Sequence, residues 1–153
     1  MALFLKWLYP ECRLIFLVRN PYHAYRSYRR FSKPWYIHWP HQRQSSPESF
    51  GAHWLRLTQS FQQEAENLGA LLIQYEKLLD PQFDWSVLEA HIGHPVDKSA
   101  LEHRVTGHTN NDPSDPATLM EELVRLSNVV GTYASSLGYW LPAPSDLRRQ
   151  ETG

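Results

Sequence analysis

The sequence predicts an α/β fold with a small parallel sheet flanked by helices. Two short apolar runs, RLIFLV at 13–18 and ALLIQ at 70–74, have the composition of strands buried on both faces of a parallel sheet. The segments between and after them carry apolar residues at helical spacing. The predicted order, strand, helix, helix, strand, helix, is that of an α/β fold, although two strands make an unusually small sheet.

Capping residues predict where the helices begin and end. A short N-terminal helix is expected to end at Tyr9-Pro10, because the residue before a proline disfavours helical geometry. Asn20 is expected to cap a helix that begins at Pro21 and runs to about Phe31. Further helices are predicted at 47–68, 81–92 and 116–137.

Length and composition exclude several classes of protein. The chain has 153 residues, of which 42% are hydrophobic and 13% aromatic, so intrinsic disorder is not expected. No apolar run approaches the ~20 residues that a membrane-spanning helix requires. A single cysteine, Cys12, excludes an internal disulfide and a multi-cysteine zinc site, and a reducing cytoplasm is the expected location.

The net charge of -1 hides a division along the chain. Through Arg56 there are nine Lys and Arg residues against two Glu, a net charge of +7, and the remainder carries -8. This division predicts that the first third meets an anion, such as phosphate, sulfate or nucleic acid. The alternative is that the two parts neutralise each other in the folded protein.

One segment, LIFLVRNPYHAYRSY, combines several features of a phosphate site. Arg19 follows a predicted parallel strand, and open α/β sheets bind ligands at the carboxyl ends of their strands. The next helix begins at Pro21, and helix N-termini attract anions through their N–H groups. Ser27 lies about two turns into that helix. A guanidinium, a hydroxyl and oriented amides together suit phosphate, although Arg19 paired with a carboxylate is the simpler alternative.

This segment resembles the 3′-phosphate-binding motif of the cytosolic and Golgi sulfotransferases, which use 3′-phosphoadenosine 5′-phosphosulfate (PAPS). Four further segments resemble that family in the same order: LYPECRLIFLVRNP, LLIQYEKLLDP, HIGHP and LGY, with the Trp54 helix between the first two. The resemblance runs from about Leu8 to Tyr139. It implies a partial P-loop-NTPase-like three-layer fold over residues 1–141, followed by a polar tail at 142–153.

The resemblance also implies roles for individual residues. Arg19 and Ser27 would hold the 3′-phosphate, and Tyr75 would lie against the adenine. Arg104 and Gly107 fall where relatives have a basic loop over the nucleotide, although the fuller Arg-Lys-Gly form is missing. The acceptor pocket of relatives corresponds to a loop with three large aromatic residues: Trp35, Tyr36 and Trp39.

The reaction centre of the family has no counterpart in this sequence. Sulfotransferases wrap the 5′-phosphosulfate with a glycine and serine-threonine loop, and none of the seven glycines here has that setting. The general base normally precedes the Arg-Asn-Pro motif, and the only candidate there is Glu11. The chain therefore resembles the C-terminal portion of a sulfotransferase, and its catalytic residues and activity are uncertain.

The strand that leads into the glycine loop of the family is missing together with that loop. In the family this strand lies between the two strands that are predicted here, so those two must pair directly or leave open edges. Open apolar edges recruit partners. We therefore expect a homo-oligomer, or an N-terminal partner that completes the sheet.

Other features of the sequence bear on three alternative functions. The basic and aromatic segment 22–43 contains the ingredients of a single-stranded nucleic-acid groove, but tyrosines at every third position are also typical of a packed helix face. The missing loop favours a non-catalytic interaction module or partner subunit on the same fold. His91 and His94 have a spacing that two metal ligands can adopt, without a third ligand fixed by any pattern, so no metal is expected.

Overall fold

The computed structural model describes residues 2–29, 46–97, 99 and 115–143. In chain order the elements are α1 (Ala2–Leu8), β1 (Ile15–Val18), α2 (Pro21–Arg29), α3 (Pro47–Leu68), β2 (Leu71–Gln74), α4 (Tyr75–Leu78), α5 (Trp85–Ile92) and α6 (Pro116–Ser136). Over these residues the protein is a mostly helical α/β structure with a small two-stranded sheet, which confirms the predicted class. None of the described helices combines the length and apolarity needed to cross a membrane.

The chain divides into two compact units. Unit 1 contains Met1–Arg19 and Leu57–His108, and unit 2 contains Asn20–Arg56 and Thr109–Gly153. Helix α3 therefore contributes its first half to unit 2 and its second half to unit 1. The domain predicted over residues 1–141 and the tail at 142–153 stay predictions.

The sheet of unit 1 consists of β1 and β2, which pair in parallel. Ile15 lies opposite Leu71 and Val18 lies opposite Gln74, so the two strands end in register. On one face of β1, the Phe16 ring stacks on Phe61 of α3 with 4.6 Å between ring centroids. Of the two expectations for the sheet, direct pairing of the strands is the one observed.

The prediction that β1 is buried on both faces was wrong. Phe16 and Val18 are 7% and 4% exposed, whereas Ile15 and Leu17 on the opposite face are 42% and 47% exposed. Within the described residues, the layer over Phe16 has no equivalent that buries Ile15 and Leu17. A continuous apolar run shows that both faces tolerate burial and does not show that both are covered.

Unit 1 continues from β2 directly into α4, a single turn that the sequence pattern did not predict. The helix expected from Pro81 begins four residues later, at Trp85. Asp84 is its cap, since its carboxylate accepts from the Ser86 amide at 3.0 Å. The helix ends at Gly93 with φ of 78°, a left-handed conformation that favours glycine.

Unit 2 is built on α6, which begins at Pro116 as predicted. Its buried side chains recur at spacings of three and four: Leu119, Leu123, Leu126, Val130 and Ala134. The first half of α3 approaches this face closely at Gly51. A Cβ atom at that position would lie 2.9 Å from Leu126 Cδ1 and 3.2 Å from Val130 Cγ1.

Candidate functional site

The carboxyl ends of the two strands bring Arg19 and Tyr75 together in unit 1. Each residue directly follows its strand, and the last residues of the strands, Val18 and Gln74, are register partners. The Arg19 guanidinium carbon lies 5.2 Å from the centroid of the Tyr75 ring, which is cation–π distance. Of the three residues expected to contact the nucleotide most directly, Arg19 and Tyr75 are thus neighbours at the carboxyl edge of the sheet.

The pair offers a charge and a ring to a ligand. Arg19 is exposed and Tyr75 is half-buried, so both are accessible from solvent. A guanidinium binds phosphate oxygens through two parallel N–H donors. Because stacking on a ring already restricts the arginine side chain, less conformational entropy is lost when the phosphate binds. A planar base with an attached phosphate matches this combination of groups.

The N-terminus of α2 is capped as predicted, and the cap uses amides that an anion would otherwise reach. In unit 2, the Asn20 Oδ1 atom accepts from the Tyr22 amide at 2.9 Å and from the His23 amide at 3.4 Å. The cap and the anion compete for these donors, because an N-cap side chain satisfies the first free N–H groups of its helix. The amides of Tyr22 and His23 are engaged by the cap, so the expectation that they are free for an anion was wrong.

Ser27 is exposed on α2 and belongs to unit 2, whereas Arg19 belongs to unit 1. Joint binding of a phosphate by these two residues stays a prediction. The other five predicted residues lie outside the described part of the chain: Trp35, Tyr36, Trp39, Arg104 and Gly107.

The tyrosines of α2 form a packed face. Tyr22 and Tyr25 are 1% and 5% exposed. The Tyr22 hydroxyl donates to Ser127 Oγ at 3.1 Å, and the Tyr25 hydroxyl donates to a Glu122 carboxylate oxygen at 3.0 Å. Burial, assisted by the hydrogen bond to Glu122, raises the pKa of Tyr25. Neither ring is available for stacking on a base.

The acidic partner of this face was not predicted. Glu122 also pairs with Arg29, with 2.6 Å between Arg29 Nε and a carboxylate oxygen. A sequence signal existed, since Glu122 is three residues from Leu119 and adjacent to Leu123, at the border of the buried face of α6. Arg29, which the nucleic-acid interpretation needed for phosphates, is thus neutralised within unit 2.

His91 has a structural role. Its Nε2 atom donates to the Leu14 carbonyl oxygen at 2.9 Å, and the same oxygen accepts from the Leu71 amide at 2.9 Å. The bond links α5 to the start of β1. Across the described ranges, no group of three or more His, Cys, Asp or Glu side chains is arranged to hold a metal ion.

Comparison of the chain with protein-family models, curated proteins and solved structures found no match. Function is therefore inferred from the residues and their geometry, and the Arg19–Tyr75 pair at the carboxyl edge of the sheet is the candidate site.

Proposed function

We propose that this chain binds a 3′-phosphoadenosine nucleotide and is a sulfotransferase-like protein with a partial P-loop-like α/β fold. The carrying observation is the Arg19 guanidinium 5.2 Å from the centre of the Tyr75 ring, at the ends of two register-paired parallel strands. Arg19 would bind the 3′-phosphate. The adenine would pack on the face of Tyr75 opposite to Arg19.

The proposed activity of this chain is binding without catalysis. Sulfuryl transfer from PAPS moves the sulfuryl group to an acceptor oxygen or nitrogen, breaks the bond between sulfur and the phosphate oxygen, and requires a base for the acceptor proton. The residues present fit the adenine and 3′-phosphate half of the nucleotide. The sequence offers no glycine loop for the 5′-phosphosulfate, and the exposed Glu11 is the only candidate base that precedes Arg19.

Calorimetric titration with 3′-phosphoadenosine 5′-phosphate tests the proposal. We expect binding by the wild type, and a loss of about 10- to 100-fold in affinity for Arg19→Ala, because a charge-assisted hydrogen bond to phosphate is removed. Arg13→Ala is the matched control, since Arg13 is exposed in the same unit and precedes β1 instead of following it.

A second ligand separates phosphate recognition from adenine stacking. Adenosine 5′-monophosphate lacks the 3′-phosphate, so its weaker binding should be unaffected by Arg19→Ala and reduced by Tyr75→Ala. The proposal is wrong if the wild type does not bind 3′-phosphoadenosine 5′-phosphate, or if Arg13→Ala weakens binding as much as Arg19→Ala does.

A further inference from the structure

Helix α1 of unit 1 carries its large apolar side chains on the outside. Five side chains of the helix and that of Tyr9, which follows it, are each 40–74% exposed, and we call them the α1 patch: Leu3, Phe4, Leu5, Trp7, Leu8 and Tyr9. The less exposed positions of the helix are Ala2 and Lys6, which share one face because they are four residues apart. No residue of α1 is buried, whereas an amphipathic surface helix directs its apolar side to the core.

The side chains of the patch are uncharged. The neighbouring Lys6 is less exposed than they are, and its Nζ atom donates to the Pro10 carbonyl oxygen at 3.2 Å. On the outside, the Phe4 and Trp7 rings stack with 6.0 Å between centroids and 23° between planes. Two such surfaces can approach each other without bringing like charges together.

The patch can supply most of the area of one side of a protein interface. With ~200 Å² for each large aromatic side chain, the three rings alone expose roughly 400 Å². The leucines raise this to an area on the order of 600 Å², the upper end for the largest apolar patch of a typical monomer. A stable interface takes about 800 Å² from each partner.

We propose that the α1 patch is the interface of a homodimer, in which α1 of one copy packs against α1 of a second copy. A twofold interface uses the same surface on both subunits, and an apolar surface without charges is complementary to itself. The main competitor is an anionic lipid surface. Unit 1 disfavours it, because its six Lys and Arg residues against nine Asp and Glu give a net charge of -3.

Sedimentation velocity of the full chain across micromolar concentrations tests the dimer. We expect a concentration-dependent dimer for the wild type, and Trp7→Glu should raise its dissociation constant at least about 30-fold. Trp7 is 74% exposed, so the substitution leaves the fold of one copy intact, which circular dichroism verifies. Phe4→Glu should act in the same way and serves as the second variant.

Trp140→Glu is the matched control. Trp140 is 70% exposed and lies in unit 2, so it tests whether any exposed tryptophan has this effect. Equal weakening by Trp7→Glu and Trp140→Glu overturns the proposal, as does a wild type that stays monomeric. Binding of the wild type to phosphatidylcholine–phosphatidylserine vesicles, abolished by Trp7→Glu, would assign the patch to a membrane surface instead.

Discussion

Glu122 of α6 contacts two side chains of α2 in unit 2. It accepts a hydrogen bond from Tyr25 and pairs with Arg29, and the Glu122 and Arg29 side chains are only 22% and 18% exposed. Both partners lose water when α2 packs, so both require the carboxylate. A single acidic side chain thereby compensates a buried hydroxyl and a largely buried guanidinium.

Glu122→Gln should therefore destabilise the protein. We expect the free energy of unfolding to fall by about 2–3 kcal/mol, because the substitution leaves the Arg29 charge partly buried without a counter-ion. Urea unfolding followed by circular dichroism measures the change. Glu121→Gln is the control: Glu121 is the exposed neighbour on the same helix, and a change within ~0.5 kcal/mol is expected there. Equal losses of stability for the two variants would contradict this, because they would show that the contacts of Glu122 with Tyr25 and Arg29 add nothing beyond its negative charge on α6.

At the scale of single residues, the sequence predicted positions better than contacts. Arg19 lies at the carboxyl end of β1 as predicted, and Tyr75 lies beside it because β1 and β2 pair directly and end in register. Asn20 caps α2 as predicted, and its side chain occupies the amides of Tyr22 and His23, which an anion site there would need. Ion pairs between distant segments, such as that of Arg29 with Glu122, depend on which helices pack together, which local spacing does not reveal.

At the scale of elements, periodicity predicted which segments form helices but not what covers them. Helix α3 occupies 47–68 as predicted, and α6 begins at its predicted cap. The apolar residues of α1 and β1 also predicted their elements, yet much of their apolar surface is exposed. Amphipathic spacing reports which face avoids water, and the group that covers this face is a property of the tertiary or quaternary structure.

Gly51 sets how closely α3 approaches α6 in unit 2. Gly51→Ala gains helix propensity of about 1 kcal/mol, but its methyl group would meet Leu126 and Val130, both of which are fully buried. We expect a net loss of about 1–2 kcal/mol, because overpacking in a buried contact outweighs the propensity. Thermal unfolding measures it as a lower Tm.

Gly131→Ala is the control for the same substitution in a helix. Its new Cβ would meet only the Ser127 hydroxyl, at 3.0 Å, and a hydroxyl is easier to displace than a buried Val or Leu side chain. Gly131→Ala should therefore leave the Tm unchanged or raise it slightly. If Gly51→Ala changed the Tm no more than Gly131→Ala does, α3 and α6 would not approach each other as closely at Gly51 as described.

At the scale of the whole molecule, the fold removes the charge division seen along the chain. Each unit combines early and late segments, so the +7 and -8 of the sequence become -3 in unit 1 and +2 in unit 2. Within unit 2, Arg29 of the basic first third pairs with Glu122 of the acidic remainder, whereas Glu48 with Arg125 pairs the minority charge of each part. Mutual neutralisation, one of the two interpretations of the sequence, is thus observed for Arg29 and Glu122. The case for an anion site depends on Arg19 and its neighbour Tyr75.

The two units and the proposed nucleotide site together predict a regional response to ligand. Amide hydrogen exchange reports local opening, and a ligand that binds only the closed form slows exchange by a factor of 1 plus the ratio of its free concentration to its dissociation constant. At a concentration about 100 times the dissociation constant, 3′-phosphoadenosine 5′-phosphate should slow exchange in Ile15–Val18 and Leu71–Gln74 about 100-fold. Amides at the centre of α6 should change far less, because α6 belongs to unit 2.

Adenosine 5′-monophosphate at the same concentration is the control, and we expect a smaller effect because Arg19 has no 3′-phosphate to bind. Equal slowing in β1, β2 and α6 would mean that the units open as one cooperative structure. No slowing in β1 and β2 would remove the nucleotide site from the strand ends.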